Sequence, residues 1–208
     1  MPSSHLYQVV DIIELILFTN PSSILDIGVG FGKYGFLSRE YLELWNRRKE
    51  YGSWERKIDG IEVYKEYLTP VHEFIYDKIY IGNALDILPE LSINYDLILL
   101  IDVIEHFNHE DGVRLLEECK RHGKNIIVST PKDIGIQEDI FSNPFEIHKF
   151  QWTKKHFNHF LDKCFISNGL SLICYLGDNA LKLKEAKVNR KIGKYFPFLI
   201  PIAKKLRK

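Results

Sequence analysis

The chain has 208 residues, 45% hydrophobic and 27% charged, which is the length and balance of one globular domain able to bury its own core. Its three cysteines, Cys119, Cys164 and Cys174, show no CxxC spacing, which excludes a disulfide framework and points to a reducing, cytoplasmic compartment. The net charge of zero is uneven: residues 184–208 hold nine Lys/Arg and one acid, a net +8, which leaves −8 on residues 1–183.

An acidic body argues against wholesale nucleic-acid binding, because phosphates repel it. No apolar run approaches the ~20 residues that span a bilayer. The N-terminus shows no basic stretch followed by an apolar run and a small-residue cleavage site, so no signal peptide is expected.

In chain order, Ser4 to Phe18 carries Leu6, Val9, Val10, Ile13 and Leu17 at helical spacing, with Ser3 or Ser4 as the expected cap. Asn20-Pro21 should end this helix. Ile24 to Ile27 reads as a short buried strand stopped by glycines. Lys33 to Arg48 reads as a helix, Lys57 to Val63 as a second strand, and Lys78 to Gly82 as a third. The run Tyr95 to Asp102 (YDLILLID) has the apolar continuity of a central parallel strand. Glu110 to His122 is helical by pattern, Asn125 to Ser129 is a strand, and Thr153 to Asp162 is a further helix. Leu170 to Leu176 and Ala180 to Leu183 read as a closing hairpin turned at Gly177-Asp178-Asn179.

Strands alternating with helices predict an α/β fold with one doubly wound, mostly parallel sheet and a C-terminal antiparallel hairpin. The expected domain is residues 1–184, with an N-terminal helix in 1–19 and a tail at 185–208. Ligands of such sheets bind beyond the carboxyl ends of the strands, so function should lie in the segments after each strand.

After the first strand comes Asp26-Ile27-Gly28-Val29-Gly30-Phe31-Gly32. Its glycines allow a sharp turn and close approach of a ligand to the backbone. A P-loop is excluded: the glycine it needs before Gly32-Lys33 falls on Ile27, and Tyr34 stands where Ser or Thr is required. Gly30, Gly32 and Gly35 match a dinucleotide GxGxxG, which keeps an NAD-dependent oxidoreductase as an alternative. That match leaves Gly28 unexplained and sets Asp26 where its carboxylate would repel a pyrophosphate. S-adenosylmethionine has no phosphate, and an acid at Asp26 would attract its ammonium and sulfonium.

These residues resemble the class I methyltransferase family, whose motif is an acid two residues before GxGxG, here ILDIGVGFG. The resemblance continues through Glu62 in IDGIEVY, Gly82-Asn83-Ala84, and YDLILLIDVIEHF, and covers about residues 20–184. It implies S-adenosylmethionine as cofactor, held by Asp26, Gly28, Gly30, Gly32, Glu62, Val63, Asn83, Ala84, Asp102 and Val103. By the same resemblance Glu62 accepts the ribose hydroxyls, Val63 and Tyr64 pack on adenine, and Asn83 reads the adenine edge in place of the family's usual aspartate. A methyltransferase-fold protein that binds the cofactor without catalysis is a further alternative.

Glu62 lies farther from the glycine loop than the usual ~20 residues. The extra stretch, Trp45 to Arg56, reads as a solvated insertion or as part of an acceptor pocket.

Methyl transfer needs alignment of the acceptor and, for a protonated acceptor, a base. Asp102, Glu105 and His106, at i, i+3 and i+4, would share one helical face. They could orient the following helix, supply His106 as a base, or hold a divalent metal, as a similar acid-x-x-Glu-His arrangement does in some quinone O-methyltransferases. No metal is expected to be required.

The connection Ser129 to Trp152 is long for this fold and can close over the site. It resembles a loop of some small-molecule and sugar-pathway methyltransferases, and that resemblance makes His148 a candidate acceptor contact; otherwise His148 pins the loop. Trp152 reads as core, and His109, His156 and His159 as surface histidines. Catalytic candidates are therefore His106 and His148, with O- or N-methylation of a small or medium polar acceptor expected.

The tail sets YFPFLIPIA between cationic segments, with Pro197 and Pro201 preventing a continuous helix. It reads as a flexible or back-folded tail, as a peripheral membrane contact, or as a site for a protein or nucleic-acid partner.

Overall fold

A computed structural model describes residues 4–44, 53–138 and 140–186. The tail from residue 187 onward, and most of the insertion at 45–56, lie outside the described residues.

Seven strands form one sheet: β1 (Ser23–Ile27), β2 (Lys57–Glu62), β3 (Lys78–Ile81), β4 (Leu97–Ile101), β5 (Asn125–Pro131), β6 (Lys163–Ile166) and β7 (Ser171–Gly177). Their spatial order is β3-β2-β1-β4-β5-β7-β6. The first five are parallel, and β7 runs antiparallel to both β5 and β6. The chain steps outward from β1 in one direction to β2 and then crosses to β4 on the other side. The carboxyl ends of β1 and β4 therefore flank the point where strand order reverses, the place where such sheets bind ligands.

Helices cover both faces. On one lie α1 (Leu6–Thr19), α2 (Lys33–Arg39, followed by a wider turn, Glu40–Leu44) and α3 (Pro70–Ile75). They pack with Ile24, Leu97, Leu99, Ile127 and Ile173. On the other lie the short α4 (Ala84–Ile87) and α5 (His109–His122), over Leu25, Ile98, Leu100, Ile126 and Val128. Adjacent residues of one strand thus enter opposite cores, which is why β4 is apolar at every position and buried throughout.

Four local expectations change. The N-cap of α1 is His5, whose ring nitrogen accepts the Tyr7 N–H, while the Ser4 carbonyl accepts from Lys33 Nζ at 2.8 Å. Residues 153–162 form a single turn, Lys154–Phe157, that gives way to irregular chain. It is closed by His156, whose ring accepts the Thr153 N–H at 3.0 Å. The antiparallel hairpin is β6 with β7, so it starts earlier in the chain than expected. Residues 180–186 are helical instead of forming its second strand. There Ala180 and Leu183 are buried at helical spacing while Leu181 is exposed, although the sequence Leu181-Lys182-Leu183 alternates as a strand would.

Candidate functional site

A cleft opens beyond the carboxyl ends of β1, β2 and β4. Its floor is the glycine loop. Gly28, Gly30 and Gly32 all have positive φ, at 74°, 51° and 82°. At Gly28 a Cβ would also come within 2.5 Å of Val103 Cγ2, so both conformation and space require glycine. The loop is held from two sides. The Gly30 N–H donates to Glu62 Oε2 at 3.0 Å. The Gly30 carbonyl accepts from His72 Nε2 at 2.9 Å; His72 Nδ1 takes the Thr69 N–H, which leaves the ring proton on Nε2.

Three strand-end acids border the cleft. Asp26 is buried and accepts the Tyr76 hydroxyl at 2.7 Å. Burial pushes its carboxyl up to about 7; the Tyr76 bond opposes this and the nearby Glu62 charge adds to it. Glu62 accepts the N–H groups of Gly30 and Tyr64, which counter part of the upward push of its burial. Asp102 follows β4 with φ +53°, a left-handed conformation that costs a non-glycine residue about 1–2 kcal/mol. Ser129 Oγ donates to its Oδ1 at 2.9 Å and Gln8 Nε2 to its Oδ2 at 2.5 Å, fixing the carboxylate at both oxygens. Burial raises Asp102 as well, with these two donors pulling the other way.

Asn83 caps α4 through its carbonyl oxygen, which accepts the Leu85 N–H, and so can offer its –NH2 to a ligand. Ala84, Val63 and Val103 complete this wall.

The far wall is built by the connection after β5. The N–H groups of Lys149 and Phe150 both donate to the Glu105 carbonyl, at 2.8 and 3.2 Å. Trp152 is buried and its Nε1–H donates to the Ile104 carbonyl at 3.1 Å. Gln137 Nε2 donates to the Glu146 carbonyl at 2.7 Å. These bonds lay the loop against the turn Ile104–His106 and set His148 beside His106, with ring centroids 5.2 Å apart. His106 lines the cleft, and burial lowers its pKa, favouring the neutral ring. Glu105 is fully buried, and both that burial and the charge of Asp102 push its carboxyl well up.

No family model matches the chain. An uncharacterized protein of Methanocaldococcus jannaschii is 29% identical over 191 residues, covering 89% of this chain and 71% of that one. Among solved structures, an S-adenosylmethionine-dependent methyltransferase of Archaeoglobus fulgidus superposes with a TM-score of 0.58 at 13% identity, covering 81% of this chain and 94% of that one. An O-methyltransferase family protein of Burkholderia thailandensis gives 0.59 at 13% identity, covering 81% of this chain. The magnesium protoporphyrin IX methyltransferase of Synechocystis, solved with bound S-adenosylhomocysteine, gives 0.55 at 11% identity and 82% coverage of both chains. The chain spans 55% of the Burkholderia protein, little more than half its length. The chain has the class I methyltransferase fold.

Within that methyltransferase fold, the structure brings Asp26, Gly28, Gly30, Glu62, Val63, Asn83, Ala84, Asp102 and Val103 to one cleft, with His106 at its rim. Gly32 starts α2 behind this lining, with its Cα facing His72. Tyr64 is not part of the lining: its ring packs edge-on against Tyr67, and Tyr67 borders the cleft instead. The turn Lys65–Tyr67 reverses the chain there and brings the later tyrosine inward. His148 does not line the cleft either; it reaches it through His106.

Sequence reasoning missed Ser4 and Lys33 at one end of the cleft, and Phe145, Glu146 and Lys149 on the loop. The Asn143-Pro144 turn signal was the available hint for the loop residues. Among the described residues His156, His159 and His109 join no group with an acid that could hold a metal: His156 closes its own turn, His159 packs at a tilt on Phe160, and His109 contacts Phe150 and Trp152.

Proposed function

We propose that the chain is an S-adenosylmethionine-dependent methyltransferase acting on a small or medium polar acceptor. One observation carries the reading: Asp26, Glu62 and Asp102, acids at the carboxyl ends of three neighbouring strands, border a single cleft within a methyltransferase fold. Three carboxylates there would repel a diphosphate and suit a ligand with an ammonium and a sulfonium. Each Glu62 oxygen already accepts one N–H and keeps a second lone pair for a ribose hydroxyl. Val63 and Ala84 supply apolar contact for adenine, Asn83 a hydrogen bond to its edge, and Asp26 attraction for the cationic end. The open backbone of Gly28 and Gly30 leaves room for the methionine chain. Asp102 and Val103 close the pocket next to the reacting methyl group.

S-adenosylmethionine would supply an electrophilic methyl group to an acceptor lone pair and leave as its thioether, and the proton of a protonated acceptor would pass to a base such as His106. The cleft contributes alignment and exclusion of water. His106 and His148 mark its acceptor end.

Isothermal titration tests this. S-adenosylmethionine and its demethylated product should bind at micromolar strength, about −8 kcal/mol. Glu62→Ala, which removes charge-assisted hydrogen bonds of about 1.5–3 kcal/mol each, should weaken both at least roughly tenfold while circular dichroism stays unchanged. Heat from NAD and none from S-adenosylmethionine would refute the assignment.

A further inference from the structure

We propose that α3 and its two caps, Thr69 and Tyr76, position the glycine loop for the cofactor from outside the cleft. Tyr76 fixes the Asp26 carboxylate at the start of the loop, and His72 fixes the Gly30 peptide in its middle. Neither ring lines the cleft, and the identity of the ligand rests on the methyltransferase reading.

Tyr76 is buried, and its hydroxyl donates to Asp26 Oδ2 at 2.7 Å. Two glycines make room for its ring. A Cβ at Gly35 would come within 2.4 Å of Tyr76 Cζ, and one at Gly60 within 3.3 Å of Tyr76 Cδ1. Gly35 completes the dinucleotide-like GxGxxG of the sequence, but in the fold it admits Tyr76. Burial and the charge of Asp26 push the Tyr76 hydroxyl well above its ordinary range, so it keeps the proton that it donates. The other titratable groups facing Asp26 are Glu62 from β2, whose charge opposes ionisation, and Tyr34 from α2. Among these side chains Tyr76 favours the ionised carboxylate, and the Gly35 backbone adds to it.

His72 is 1% exposed and works at both edges of its ring. Its Nδ1 accepts the Thr69 N–H at 3.0 Å, which leaves Nε2–H to donate to the Gly30 carbonyl at 2.9 Å. On the other side of the same residue, the Gly30 N–H donates to Glu62 Oε2 at 3.0 Å. The two bonds hold the peptide planes before and after the Gly30 Cα, at a φ of 51°. Glycine has more backbone freedom than other residues, so a glycine loop keeps one shape only when outside groups hold it. A loop already in that shape spares the ligand the cost of ordering it.

The two rings act from one unit. Their centroids are 6.2 Å apart with planes within 15°, and the Tyr76 N–H donates to the His72 carbonyl at 2.9 Å. Arg39 of α2 fastens the end of that unit: Nε donates to the Ile75 carbonyl and Nη2 pairs with Asp77, each at 2.9 Å. The side chains that touch the ligand are thereby held by side chains that do not.

Calorimetric titration of the full chain with S-adenosylhomocysteine, from about pH 6 to about pH 8.5, tests this. Tyr76→Phe should weaken binding roughly tenfold near pH 7, as loss of a hydrogen bond to a charged group does. The loss should shrink toward higher pH, where Asp26 ionises even without its donor. Methylthioadenosine, which lacks the amino-acid end, should bind Tyr76→Phe as it binds the unmodified chain. His72→Leu should weaken S-adenosylhomocysteine about fivefold across the range. His72→Gln, whose amide can still donate to Gly30, should restore binding to within about twofold. Circular dichroism checks each variant, and the conservative Tyr76→Phe carries the test if His72→Leu fails to fold. A Tyr76→Phe loss that is absent or equal at every pH overturns the inference, as does a His72→Leu loss that His72→Gln leaves unrestored. Either result with normal binding by the unmodified chain overturns the inference alone; no binding by the unmodified chain refutes the cofactor reading and the inference with it.

Discussion

The two walls of the cleft are built on different principles. The wall proposed for the cofactor comes from strand ends. Asp26, Glu62 and Asp102 each sit within one residue of the carboxyl end of a parallel strand, and the sheet register brings them together. The wall proposed for the acceptor comes from a connection of some 20 residues, stitched to the turn Ile104–His106 by backbone bonds across more than 40 positions. The first wall is backed by the buried clusters on both faces of the sheet. The second depends on a few loop contacts, so its side chains can change without disturbing the sheet. A fold used this way can keep one cofactor while varying its acceptor.

Three experiments would break or sharpen that contrast, the largest effect first. Gly28→Val sets a β-branched residue at φ +74° with its Cβ against Val103. It should abolish cofactor binding, a loss of roughly a hundredfold or more, or about 2.7 kcal/mol. Retained micromolar binding by calorimetry would show that the loop is not the floor of the pocket.

The next effect is on pH. The Asp26 carboxyl is raised in the fold from 3.8 to about 7, so between those values the folded protein holds a proton that the unfolded chain has released. Its contribution to stability is present below about pH 4 and lost as pH rises through about 7. A cationic ligand selects the ionised form, so affinity should run the opposite way and rise roughly tenfold from pH 6 to pH 8. Asp26→Asn should flatten the curve. A flat curve in the unmodified protein would remove Asp26 from cofactor recognition.

The smallest effect concerns the loop. Phe145 lines the cleft from the acceptor wall and is 44% exposed. Phe145→Ala should change cofactor affinity by less than about threefold while raising the acceptor KM once an acceptor is known. A large loss of cofactor affinity would mean that the two walls are not independent.

The sequence by itself determined the parallel sheet, the glycine turn and the three strand-end acids. Each is a local matter: a buried strand needs a continuous apolar run such as LILLI, a ligand-hugging turn needs glycines at positive φ, and an acid placed directly after a strand has only one end of the sheet to occupy. Tertiary structure decided what depends on distant chain. It sent residues 180–186 into a helix instead of a strand: Leu181-Lys182-Leu183 alternates as a strand would, and only packing buried Ala180 with Leu183 at i, i+3 and left Leu181 exposed. It turned Tyr67 instead of Tyr64 toward the cleft. It tied the Asp102 carboxylate to Gln8 and Ser129, and it brought His148 from a distant loop beside His106. Spacing along a chain can place residues on a shared face, but which hydrogen bonds their oxygens have already made is settled only when the rest of the chain has packed around them.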